Sequence, residues 1–307
     1  MTAEAKIIEI TDLTKDFKEV KAVDSLSLNV IRGDVFGFLG PNGAGKSTTI
    51  RMLLTLIKPG AGAIKIFNKD LISERKEILK DVGAIIENPD FYKYLSAYKN
   101  LEILSRISGR TITPKRIMET LEIVGLSERA NSKVKTYSHG MKQRLGIAQA
   151  ILHDPELIIL DEPTTGLDPQ GMKEIRDLIT FLCKEKNKTI FLSSHILSEV
   201  EQVANRMIII NKGKKIVEGS VRDLLNAADL KVSVEVLETE KAEQQIKESQ
   251  WADKLISRNE HSLIFNIQTD EIAELNKFLV KKDFSVAAII PTKSLESYFL
   301  KITDEAS

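Results

Sequence analysis

The residues most able to do chemistry lie in Gly40-Pro41-Asn42-Gly43-Ala44-Gly45-Lys46-Ser47. A stretch of the form G-x-x-x-x-G-K-[ST] is built to grip phosphate. Its glycines let backbone N–H groups turn toward an anion with no Cβ in the way. A helix that starts at its end adds unpaired donors and partial positive charge. Lys46 supplies a point charge for β- and γ-phosphates, the Ser47 hydroxyl is a hard oxygen suited to Mg²⁺, and Thr48 completes the run expected to touch nucleotide. The plain alternative is a glycine turn before an ordinary helix. The flanks argue against it. Residues 34–39 read as a short buried strand, and 47–57 as an amphipathic helix with Ile50, Leu53, Leu54 and Ile57 on one face.

A second cluster lies at Leu157-Ile158-Ile159-Leu160-Asp161-Glu162-Pro163. Four apolar residues predict a buried central strand. Two carboxylates stand at its C-terminal end, where unpaired buried charge is costly. Mg²⁺ beside a phosphate loop accounts for them. A further strand over 189–193 is followed at once by His195.

Composition sets bounds. Lys+Arg is 44 and Asp+Glu is 44, so the formal net charge is +0 and no overall electrostatic case exists for a nucleic-acid partner. The lone cysteine, Cys183, makes a disulfide framework within the chain impossible and fits a reducing compartment. It falls in a helical pattern, where packing is the simpler role. Residues 1–6 lack the apolar run of a signal peptide, and no charge-free stretch approaches the roughly 20 residues of a membrane span. The expectation is a cytoplasmic chain, with any membrane spans supplied by another subunit.

Around these clusters the pattern predicts an α/β domain over 1–228. Strands are expected at 6–10 and 25–30, with Phe17 in a polar loop between them. Phe17 is open to two readings, a satellite core residue or a platform for a base. Further strands are expected at 63–67 and 80–87, a helix over 169–184 behind a turn at 166–168, and a hairpin over 206–218. Residues 91–153 carry only helical spacing, over 96–107, 114–124 and 138–152, with Ser96 and Thr113 placed to start helices. Phe91, Tyr92, Tyr94 and Tyr98 crowd the tip of this insert, as core or as a docking patch. From 229 to 307 the pattern becomes a small α+β domain. Its strands are expected at 231–236, 262–267 and 284–290, and its helices at 272–280 and 295–302. His261 and Trp251 read there as structural residues.

With Tyr137-Ser138-His139-Gly140-Met141-Lys142-Gln143-Arg144 added, the motifs fall in one order. The chain resembles the ATP-binding subunit of a bacterial ATP-binding-cassette (ABC) transporter, of the drug or antimicrobial-peptide exporter type. The resemblance covers about residues 5–225. It implies a P-loop NTPase fold of the ABC ATPase kind, with a helical subdomain at about 91–153, an antiparallel β subdomain and the small C-terminal domain. It implies ATP and Mg²⁺ as ligands, a head-to-tail dimer, a separate multi-span permease, and a peripheral place on the cytoplasmic face of the membrane. Glu162 matches the general base, His195 the residue on the γ-phosphate, and Lys46 the phosphate-binding lysine. Ser47, Asp161 and Glu87 match the Mg²⁺ neighbourhood. Phe17 matches the adenine-stacking aromatic. Ser138, Gly140 and Gln143 fall in the signature that meets the second subunit's nucleotide, and Asp168 falls at the subunit seam. Two positions depart from the pattern: Glu87 stands where glutamine is usual, and His139 where glycine is usual. A Cβ at His139 is expected to restrict the backbone. The competing readings are a soluble ABC ATPase acting on ribosomes or DNA, and a nucleotide-binding regulatory module. The single cassette, the absence of long coiled coils, and an intact Glu162 and His195 disfavour them.

Overall fold

The computed structural model describes residues 5–293 except 88, 108, 228 and 229. The chain divides into two compact units, with the boundary between Val221 and Arg222. That lies slightly ahead of the change in composition at 228.

In the first unit, β1 (Lys6–Phe17) and β2 (Val20–Ile31) form a long antiparallel hairpin. Both strands exceed the sequence expectation, and Phe17 ends β1 rather than sitting in a loop. Register shifts along the pair and a positive φ at Asp12 interrupt the two-residue alternation, which hid the outer half from pattern reading. β4 (Ala61–Ile66) and β5 (Lys69–Asp70) extend this sheet in the order β2-β1-β4-β5. Phe67 and Asn68, both at positive φ, make the tight turn between them.

The second sheet has the order β10-β9-β3-β8-β7-β6. It contains β3 (Val35–Leu39), β6 (Val82–Ile85), β7 (Leu157–Asp161), β8 (Thr189–Ser194), β9 (Arg206–Asn211) and β10 (Lys214–Ser220). Strands β9, β3, β8, β7 and β6 are parallel, and β10 closes the edge antiparallel to β9. The central strands β3, β7 and β8 are buried throughout, and each carries an apolar run of three or more residues except for the glycine in β3. Phe36 and Phe38 flank Phe191 at ring separations of 5.8 and 5.2 Å, a packing worth about 0.5–1.5 kcal/mol per pair beyond area burial. Helix α1 (Lys46–Leu53) follows β3 and is shorter than expected, because the chain turns at Thr55, which has φ 57°. The short helix α2 (Arg75–Leu79) precedes β6.

The inserted helices are α3 (Ala97–Ile107), α4 (Pro114–Ile123) and α5 (His139–Ile151). The Thr113 hydroxyl caps α4 by accepting from the Arg116 N–H, and the Ser96 hydroxyl accepts from the Lys99 N–H. Buried Asn100 ties down the aromatic tip: it accepts from the Tyr92 N–H and donates to the carbonyls of Tyr92 and Ser96. Phe91 is buried there, while Tyr92 and Tyr94 stand in solvent, Tyr94 with 77% of its surface exposed. α6 (Pro169–Lys184) is capped by Asp168, whose carboxylate accepts from the Gly171 N–H at 3.0 Å. Cys183, on α6, is half-buried; its thiol is raised by burial and donates to the Gly33 carbonyl. α7 (Leu197–Glu201) follows β8.

α8 (Val221–Ala227) leads into the second unit. There β11 (Leu230–Val236), α9 (Thr239–Lys247), β12 (Leu255–Arg258), β13 (Ser262–Asn266), α10 (Glu271–Lys281) and β14 (Val286–Lys293) form a β-α-β-β-α-β unit. Its antiparallel sheet runs β12-β13-β11-β14, the ferredoxin-like order. Val232, Val234, Leu263 and Phe265 meet Ile246, Leu275 and Leu279 in the core, and Trp251 is buried among them. α9 and β12 were not expected: the buried face of α9 is Thr239, Ala242 and Ile246, with two apolar residues, too sparse a stripe to read. The last strand begins later than 284. The helix expected at 295–302 lies outside the described residues.

Candidate active site

Parallel pairing aligns the functional residues at one edge of the sheet. The register sets Leu39 beside Ser194, and Ser193 beside Asp161. The C-terminal ends of β3, β8 and β7 therefore deliver the phosphate loop, His195 and the carboxylate pair to one place, the edge where open α/β sheets bind ligands.

The phosphate loop is held from behind. The Gly40 N–H donates to the Ser194 carbonyl, and the Gly213 N–H to the Ala44 carbonyl. Gly45 has φ +104°, and a Cβ on it would lie 2.4 Å from the Ala22 carbonyl, so only glycine fits against β2. Pro41, Asn42 and Gly43 form the exposed rim, Ala44 and Gly45 the buried floor, and Ser47 and Thr48 are half-buried in the first turn of α1. The N–H groups of Lys46, Ser47 and Thr48 have no carbonyl partner within the helix, as at every helix start. Lys46 is only 5% exposed; its ammonium donates to the carbonyls of Gly40 at 2.8 Å and Pro41 at 3.2 Å.

Glu162 follows β7 at φ 47°, a left-handed conformation that costs a non-glycine residue roughly 1–2 kcal/mol. Its contacts hold it there. The Glu162 N–H donates to the Ser193 hydroxyl at 3.0 Å, and its carboxylate lies 3.4 Å from the Lys46 ammonium. The same carboxylate accepts from the Thr165 hydroxyl at 3.1 Å and meets His195 Nδ1 at 3.1 Å. Burial pushes the Glu162 carboxyl up, but Lys46, the Thr165 hydroxyl and His195 outweigh it and hold the group below the usual carboxylate range. Glu162 is thus ionised at neutral pH. Asp161 is buried, and its carboxylate accepts from the Ser193 hydroxyl at 2.5 Å. One serine thus holds both acidic residues.

The structure brings Lys46, Ser47, Asp161, Glu162 and His195 together and leaves other predicted residues apart. The Glu87 carboxylate is 64% exposed and pairs with Arg51 of α1, so it does not join Asp161. Gln143, on α5, is buried, whereas Ser138 and His139 are exposed. Phe17 is 47% exposed at the tip of the β1–β2 hairpin, whose Ala22 abuts Gly45; the Lys15 ammonium lies 5.2 Å over its ring. Ser138 caps α5, its hydroxyl accepting from the Met141 N–H at 3.2 Å. Ser138 and the start of α5 line a cleft of about 440 Å³ together with Gly140 and Asp168. His139 is helical and absent from the positive-φ residues, so the expected backbone restriction does not arise. Sequence reading missed Thr165, Ser193 and Arg51. The first two sit one turn after Glu162 and beside Asp161 on the neighbouring strand; only strand register reveals the second.

The Mg²⁺ question turns on the donor set. Ser47 and Asp161 offer a hydroxyl and a carboxylate, hard oxygens only, and α1 packs against β7. No group of three or more His, Cys, Asp or Glu side chains able to hold a metal occurs among the described residues. So sparse a set fits Mg²⁺, which is held by one or two side chains together with substrate phosphates and water.

A phosphate loop, a terminal carboxylate pair and a histidine on one sheet edge, with a helical insert and an antiparallel β sheet, define a P-loop ATPase of cassette form. The family profile described as ABC transporter matches residues 23–165. The chain is 46% identical over 308 residues to the bacitracin transport ATP-binding protein BcrA of Bacillus licheniformis, across 96% of this chain and 97% of that protein. It is 39% identical over 307 residues to the ABC transporter ATP-binding protein YhcH of Bacillus subtilis, across 97% and 96%. The dimeric ATP-binding cassette MJ0796, solved in a post-hydrolysis state with ADP and Pi, matches at TM-score 0.63 and 27% identity, over 70% of this chain and 99% of that one.

The chain belongs to the ABC transporter family, as an ATP-binding subunit. It is an ATPase of the kind that acts as a dimer and drives a membrane permease. No helix among the described residues is long and apolar enough to cross a membrane.

Proposed function

We propose that this subunit hydrolyses Mg²⁺-ATP with Glu162 as general base and powers peptide export from the cytoplasmic face of the membrane. The observation that carries the reading is Glu162 itself, ionised and fixed between Lys46 and His195 at the mouth of the phosphate loop. Lys46 and the loop N–H groups bind the β- and γ-phosphates. Glu162 takes the proton from the attacking water, and His195 contacts the γ-phosphate and keeps the carboxylate aimed. Ser47 and Asp161 would hold Mg²⁺, which would supply neutralising charge to the phosphates. Phe17 stacks on the adenine, and Ser138 and Gly140 of a second copy complete the site.

Export of a peptide antibiotic rests on the bacitracin transport relative, alike over nearly the whole chain. Docking to the permease fits the exposed Tyr92 and Tyr94 on the helical insert. The catalytic part is tested by Glu162→Gln. It should lower kcat by roughly 10²–10⁴ while ATP binding persists; wild-type turnover in E162Q removes Glu162 as the base. The location is tested by fractionation: the chain should sediment with membranes, leave them in an alkaline wash, and co-purify with a multi-span protein before it. A chain recovered with ribosomes or DNA instead would overturn the transport role.

A further inference from the structure

His139 departs from the glycine usual at its place, and the structure gives it a contact that glycine lacks. It opens α5, and its Nε2 lies 3.2 Å from the Thr165 carbonyl oxygen. A carbonyl only accepts, so Nε2 carries the proton and donates. The same nitrogen lies 3.3 Å from the point where a Cβ on Gly166 would stand. A side chain on Gly166, whose φ of +76° favours glycine, would crowd the imidazole. Thr165 faces the other way with its side chain: its hydroxyl donates to the Glu162 carboxylate at 3.1 Å, and its N–H donates to the Glu162 carbonyl at 3.2 Å. One residue is thus gripped at its carbonyl by His139 and grips Glu162 with its hydroxyl.

We infer that His139 is a positioning residue for hydrolysis, acting through Thr165 to hold the Glu162 carboxylate in place. Thr165 and Gly166 are exposed, so little packing fixes this turn from the solvent side. The imidazole supplies the missing restraint from the signature helix. The bland reading is an exposed histidine that touches a neighbouring loop without consequence; it predicts no dependence on the Nε2 donor and no coupling to Thr165. The inference rests on Glu162 being the base.

The experiment compares His139→Phe, which keeps a flat ring but no donor, with His139→Gln, whose amide reaches the Nε2 position, and with Thr165→Val. In the full-length protein, H139F should lose about tenfold in kcat with KM for ATP within about twofold, the scale of one lost hydrogen bond acting on the barrier. H139Q should recover most of it. The H139F/T165V double variant should fall no further than T165V alone, since both cut one path. ATP-driven dimerisation, followed by light scattering in E162Q, should survive addition of H139F. Additive losses, or wild-type kcat in H139F, overturn the inference. Loss of ATP-driven dimerisation also overturns it and assigns His139 to phosphate contact instead. Should H139F fail to fold, His139→Asn serves in its place: its shorter amide misses Thr165, so equal rates in H139N and H139Q overturn the inference. If E162Q hydrolyses ATP like wild type, the general-base reading itself has failed. If E162Q is inactive while H139F and T165V add, only the positioning role has.

Discussion

Ser193 is the residue on which both acidic groups of the site depend, and its removal gives a quantitative test. It is fully buried on β8. Its hydroxyl donates to the Asp161 carboxylate at 2.5 Å and accepts from the Glu162 N–H at 3.0 Å. Ser193→Ala removes a single oxygen, so the cavity it leaves is small and the loss is mainly polar. A hydrogen bond to a charged group contributes about 1.5–3 kcal/mol, and a buried N–H left without a partner costs about 1–3 kcal/mol. The two effects together point to a loss of about 3 kcal/mol. For a unit of this size each kcal/mol lowers Tm by about 2–4 °C, so the expected fall is about 6–12 °C. The same change frees Glu162 from the bond that supports its left-handed backbone, and kcat should fall about 10–100-fold. ATP affinity should hold, because Lys46 and the loop keep their own partners. Thermal unfolding, steady-state hydrolysis and calorimetric titration with ATP read the three quantities. A Tm within about 2 °C of wild type together with unchanged kcat would refute the claim that Ser193 organises the pair.

Phe17→Ala should weaken ATP binding by about 1–3 kcal/mol, the value of a base stacked on an aromatic ring, with little change in saturated turnover; calorimetry showing equal affinity would remove Phe17 from the adenine site. The Glu162 carboxyl gives a pH prediction. Its folded pKa is lowered, so the stabilisation it contributes is complete above the unfolded value of about 4.3 and is lost as pH falls through the folded pKa. E162Q lacks that group. Its stability deficit should therefore be largest near neutral pH and shrink in acid, as measured by melts across the range; a deficit independent of pH would contradict the assigned direction.

Much of the catalytic cluster was legible because it is local in sequence. The phosphate loop needs glycine, lysine and serine at fixed spacing between a strand and a helix, and that requirement is visible in eight consecutive residues. The Asp161–Glu162 pair announced itself as charge at the end of an apolar run. Thr113, as a helix start, follows from a side chain that accepts from the N–H group three residues on. These are short-range effects, and short-range effects are written in order along the chain.

Tertiary structure decided what depends on pairing between distant segments. Ser193 reaches Asp161 only because β8 lies beside β7 in one register, and a slip of one residue would turn its hydroxyl to the other face. Glu87 matched a metal-site position by resemblance, yet in the fold its carboxylate pairs with Arg51. Bulges in the β1–β2 hairpin erased the alternation that would have placed Phe17 at a strand end. His139 looked like a backbone problem from its residue type; helical geometry removed the problem and gave the imidazole Thr165 as a partner. The sequence by itself determined which groups bind phosphate and which carboxylates end the strand, because those needs are met within a turn or two of chain. Only the folded sheet decided which of those groups face one another, because register and helix packing join residues that sequence distance keeps apart.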